Sequence, residues 1–97
     1  MSSTPQAAWW CVEAVLAQAM RRIGSGDVAG AREILVAAEN SQQGPVLFAL
    51  AETYDPNMLA AWGSRGVAAD IARARVLYRK ALDLGVSRAQ ARLDALK

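Results

Sequence analysis

Histidine is absent from this chain, and cysteine occurs once, at Cys11. The first absence removes the commonest general base, the Ser-His and Cys-His nucleophile pairs and most zinc chemistry. The second rules out an internal disulfide and a CxxC site, and it suits a reducing compartment, so a cytoplasmic setting is expected. Excess charge is scarce too. A net charge of +2 does not demand the concentrated basic face of a strong nucleic-acid binder. No apolar run approaches the roughly 20 residues needed to span a bilayer. Ser2, Ser3 and Thr4 lead straight into an amphipathic segment, without the basic start of a signal peptide. Gly24-Ser25-Gly26 and Gly63-Ser64-Arg65-Gly66 are too short for a phosphate-binding loop and lack its lysine-serine/threonine pair. No catalytic residue, cofactor or metal site is assigned, and the chain reads as a non-enzyme.

What is present favours helix. The 97 residues make one domain, and a hydrophobic fraction of 54% is far above that of disordered chains. Alanine dominates, followed by leucine, arginine and valine; these lose little side-chain entropy in a helix. Thr4-Pro5 reads as a cap and first turn, opening a helix to Ile23 whose apolar stripe is Trp9, Val12, Leu16, Met20 and Ile23. Asp27 caps a second helix from Val28 to about Asn40, with Val28, Ala31, Leu35 and Ala38 inward. Pro45 opens a third helix to Tyr54, which Asp55-Pro56 stops. Asn57 to Trp62 make a short helical turn. Asp70 caps a fourth long helix to about Leu84, burying Ile71, Ala74, Leu77, Tyr78 and Ala81. Gly85 takes the left-handed closing position. Ser87 with Gln90 forms a capping box that opens a closing helix over 87–96. No stretch alternates strictly, so no sheet is predicted. The expected fold is all-α: about five helices in stacked antiparallel hairpins within one domain, 1–97.

Two stretches align without gaps at an offset of 43 residues, Asp27 on Asp70. Ala29/Ala72, Ala31/Ala74, Arg32/Arg75, Ala38/Ala81 and Leu50/Leu93 match, and Val28/Ile71 and Ile34/Leu77 are conservative pairs. A period near 40 built from two helices is the mark of a helical solenoid, in which each hairpin covers its apolar face with the next. The units run over about 7–40 and 44–85. Leu50-Ala51-Glu52-Thr53-Tyr54, Gly66-Val67-Ala68-Ala69-Asp70, Ala74, Leu77-Tyr78-Arg79-Lys80-Ala81 and Gly85 carry a family likeness. Over 44–85 the chain resembles the Sel-one-like repeat, a relative of the tetratricopeptide repeat. The resemblance implies a right-handed stack of antiparallel helix pairs offering a groove or end surface to a protein or peptide. It departs from the family pattern at Asp55 to Trp62, inserted at a hairpin tip, where loop length costs little. Met58, Leu59 and Trp62 there form either a lid on the core or a contact surface.

Three side chains stand out as partner-binding candidates: Trp10, Met58 and Trp62. Adjacent helical residues point about 100° apart. Trp9 therefore faces the core, while Trp10 lies with Ala14, Ala17 and Arg21, either packed on a neighbouring helix or exposed as an anchor. Cys11 shares a mixed face with Val15, Gln18 and Arg22 and reads as a free thiol, with an intermolecular disulfide as the alternative. Arg75/Arg79 and Arg88/Arg92 are spaced four apart, and Arg73 and Lys80 seven. They are either solvated and paired with Asp83 and Asp94, or a patch for a phosphate backbone or anionic surface. Without interleaved aromatics the second reading is the alternative rather than the lead. The leading expectation is a non-catalytic protein-interaction scaffold. Two repeats fall short of the three or so a solenoid usually needs, so dimerisation through an open end, or membership of a longer chain, is also expected.

Overall fold

Asp27 and Asp70 each stand immediately before a helix. In a computed structural model describing residues 10–64 and 66–96, each of these carboxylates accepts a backbone N–H three residues on. Asp27 Oδ1 takes Gly30 N at 2.8 Å, and Asp70 Oδ1 takes Arg73 N at 3.1 Å. This satisfies donors that a helix start leaves without partners. The helices are α1 (Val15–Gly24), α2 (Val28–Ala37), α3 (Gly44–Tyr54), α4 (Pro56–Ala61), α5 (Ile71–Asp83) and α6 (Ala89–Ala95). A π-helical stretch, Trp10–Ala14, leads into α1, and a 3-10 turn, Glu39–Ser41, follows α2. Among the described residues there is no strand, so the fold is all-α. The start at Thr4-Pro5 and the side chains of Trp9, Trp10 and Cys11 lie outside the described ones.

α1 and α2, joined by a three-residue turn, pack along each other, and α3 packs most extensively against α5. α2 joins these pairs by lying on α3, and α6 closes the far side against α5. The shape is a slab of 47 × 29 × 17 Å, its least dimension under two helix diameters of about 10 Å each. α3 is the centre: Val46, Leu47, Leu50 and Ala51 are fully buried, so this helix is apolar nearly all round. Gly44 starts it in close contact with the α5–α6 turn. A Cβ there would stand 2.9 Å from Val86 Cγ2. Ala31, Leu35, Ala74, Leu77, Tyr78 and Ala81 complete the core at 0% exposure. At the offset of 43 residues Asp27 and Asp70 make the same cap, and the pairs Ala31/Ala74 and Leu35/Tyr78 are equally buried.

The same offset lays α6 on α3. Ala89, Leu93 and Leu96 turn inward, as Val46, Leu50 and Thr53 do. The positions of Leu47 and Ala51, however, are taken by Gln90 and Asp94, both exposed and joined by a 2.9 Å hydrogen bond from Gln90 Nε2 to Asp94 Oδ1.

Four expectations need correcting. Met20 is 57% exposed, because the buried stripe of α1 runs through Val15 and Ala19, with Leu16 and Ile23 on its edge. Ile71, the first residue of α5, is 38% exposed where its equivalent Val28 is 2% exposed. α2 ends at Ala37 rather than Asn40, the chain tightening into the 3-10 turn. The Ser87–Gln90 capping box does not form. Ala89 N donates to Val86 O at 3.0 Å in a continuous tight turn, and Arg88, already helical, precedes α6 without a side-chain cap. Gly85, with φ +96°, holds the left-handed position expected of it.

Candidate functional site

Phe48 sits at the middle of α3 with its ring against Tyr78, centroids 5.4 Å apart and planes tilted by 58°. Its other face looks toward a groove of about 420 Å³. Leu16 and Met20 of α1 form one wall, and Phe48 and Ala49 the floor. Arg88 and Arg92, from the α5–α6 turn and α6, form the other wall, with Pro45 and Glu52 at the ends of the floor. Both guanidinium groups lie over the Phe48 ring, Arg88 at 4.6 Å and Arg92 at 5.4 Å from its centroid. A cation over an aromatic face is held by the ring quadrupole, which fixes these long side chains without a carboxylate.

The two arginines are not equivalent. Arg92 Nη2 pairs with Glu52 Oε2 at 3.0 Å, and Arg92 also rests against Met58 Sδ. Burial pushes the Glu52 carboxyl above its ordinary range, and the charges of Arg92 and then Arg88 pull it part of the way back. Arg88 has no carboxylate partner among the described residues. The groove therefore combines a buried apolar floor, an exposed methionine side chain at Met20 and one guanidinium outside any ion pair among the described residues.

A second cluster joins the helix pairs. Arg32 of α2 donates to Thr53 Oγ1 at 3.4 Å, to Thr53 O, and to Ala68 O at 2.8 Å. Its guanidinium lies 4.1 Å over the Tyr54 ring. Arg73 makes a two-oxygen pair with Glu39 at 2.7 and 2.8 Å. These contacts bind α2, α3, α5 and the 66–70 segment together. A third cluster is buried. Asp55, 1% exposed, accepts Asn57 N at 2.8 Å to cap α4 and Tyr78 OH at 2.7 Å. Among the described residues, no group of three or more acidic, histidine or cysteine side chains is placed to hold a metal ion, and no helix is long and apolar enough to cross a membrane.

Of the three candidate partner-binding residues, the side chain of Trp10 lies outside the described ones. Met58 and Trp62 are half-buried on and just after α4, which Leu59, 6% exposed, anchors to the body of the fold. Asn57 Nδ2 donates to Ala95 O at 3.2 Å, so the insert is docked on α6. Neither Met58 nor Trp62 lines the groove. Sequence reasoning did not gather Met20, Phe48 and Arg88, because they come from three separate elements. The ion pairs expected with Asp83 and Asp94 are replaced by Arg92–Glu52, Arg73–Glu39 and Arg22–Asp27. Arg92–Glu52 and Arg73–Glu39 bridge separate elements, while Arg22–Asp27 closes the turn between α1 and α2.

No family model, curated protein or solved structure matches this chain.

Proposed function

We propose that this chain is a non-catalytic protein-interaction module that takes a segment of a partner protein in the groove between α1 and α6. The observation that carries the reading is a groove with an outward Met20 on one wall and, on the other, arginines already stacked on Phe48. Such a surface is pre-organised: its long cations lose little further freedom when a ligand arrives. Methionine adds a polarizable, adaptable wall of the kind used at binding surfaces. The likeness to Sel-one-like and tetratricopeptide repeats supports the same reading, since it implies helix pairs that present a groove. Catalysis finds no support in a chain without histidine.

The test is selection of random 12-residue peptides displayed on phage, with the native domain and Met20→Arg as baits. The reading expects sequences enriched by the native domain and not by Met20→Arg, an exposed change that leaves the core untouched. No enrichment over a blank surface refutes it.

A further inference from the structure

The groove carries more than one kind of chemistry, and the distribution of charge within it is specific. Two guanidinium groups share the Phe48 ring, but only Arg92 is neutralised, by Glu52 at 3.0 Å. Arg88 is exposed, flattened on the ring, and makes no ion pair among the described residues, although its charge reaches Glu52. Its ring-covered face is already dry, and a ligand lying on the exposed Met20 across the groove would strip water from part of the remainder. A guanidinium losing water beside an apolar surface needs an anionic partner, and its planar fork fits a carboxylate through two parallel N–H donors. The other arginine is committed. Any second ligand carboxylate near Arg92 would also meet the half-buried Glu52, a like charge in a poorly solvated place.

We infer that the groove selects protein segments bearing a single carboxylate side chain, paired to Arg88, with aliphatic neighbours resting on Met20 and Leu16. This rests on the groove being the binding surface. The charge count follows from the geometry: one uncommitted cation takes one carboxylate, and a second acidic residue beside it adds nothing while Glu52 is ionised.

The experiment uses two peptide libraries with identical random flanks, one with a fixed central Glu and one with a fixed central Gln. The baits are the native domain, Arg88→Gln, Arg88→Lys and Met20→Arg. The inference expects the native domain to recover about tenfold more from the Glu library, as suits a partly exposed charge-assisted pair. The preference should vanish with Arg88→Gln, shrink with Arg88→Lys and weaken as salt rises. A synthetic binder and its Glu→Gln counterpart should differ about tenfold in Kd by calorimetry on the native domain, and not on Arg88→Gln. Equal recovery from both libraries, lost with Met20→Arg, would keep the groove as a binding site and overturn the selection for a carboxylate. Recovery from neither library would overturn the groove reading and this inference together.

Discussion

Tyr78→Phe isolates one hydrogen bond in the centre of the molecule. Tyr78 is fully buried, and its hydroxyl donates to Asp55 Oδ2 at 2.7 Å; Asp55 is 1% exposed. Phenylalanine fills the same space and keeps the ring contact with Phe48, so neither cavity nor clash enters. The loss leaves a carboxylate oxygen without a donor where water scarcely reaches. A hydrogen bond to a charged group contributes about 1.5–3 kcal/mol, and burial of both partners argues for about 2 kcal/mol here. For a domain of this length that corresponds to a fall in Tm of about 10 °C. Thermal and urea unfolding followed by circular dichroism measure it, with the Asn57 amide resonance as a local reporter. Asp55→Ala should cost about 1 kcal/mol more, since it also removes the cap of α4. In the Asp55→Ala background, Tyr78→Phe should be neutral or stabilising, because it deletes an orphaned hydroxyl. A loss below about 0.5 kcal/mol, or the same loss in both backgrounds, refutes the pairing argument.

Two further outcomes follow from neighbouring features. Gly→Ala in a helix ordinarily gains about 0.5–1 kcal/mol, but a Cβ at Gly30 would overlap the Asp27 carboxylate that caps α2. Gly30→Ala should therefore lower Tm in the native chain and raise it in an Asp27→Ala background, with equal shifts in calorimetry sinking the idea. Burial first, and the Asp55 partner second, push the Tyr78 hydroxyl above its ordinary 10.0. The unfolded tyrosine gives up its proton near that value while the folded one keeps it. Stability is thus complete below it and lost as pH climbs above, by up to about 1.4 kcal/mol per pH unit. Urea midpoints across this range should fall in the native chain and less steeply in Tyr78→Phe. Tyrosinate absorbance in a Tyr54→Phe background reports the remaining phenol, and parallel profiles refute the linkage.

What the sequence conveyed was local. Asp27 and Asp70 were legible as caps because a carboxylate before an apolar periodic run has one nearby use. Gly85 was legible because a helix end needs a residue without a Cβ. Pro56 likewise marked where α3 stops, though not that Asp55 would be buried and would hold Tyr78, a contact across 23 residues. Met20 was misplaced because one continuous helical period was carried from Trp9 through Ile23. The π-helical turn over Trp10–Ala14 changes that period, and small Ala19 brings the neighbouring helices onto the Val15 side. Ile71 looked buried as the first member of the stripe through Ala74, Leu77, Tyr78 and Ala81, yet at the very start of α5 it is 38% exposed. The groove was illegible for a related reason. Its parts are Met20, misread as core, Phe48, read only as part of a helix, and Arg88, read as part of a charged face. Their meeting is set by how α1, α3 and α6 pack.

The pair Gln90 and Asp94 on the outward side of α6 also bears on self-assembly. Helical hairpins that stack head to tail use the same surface repeatedly, and an open end of that kind can grow into filaments when the rotation does not close. At this end an incoming copy would find two exposed polar side chains already bonded to one another, where α3 offers Leu47 and Ala51. Covering that side of α6 with an apolar surface would desolvate the pair, a cost that the corresponding side of α3 does not carry.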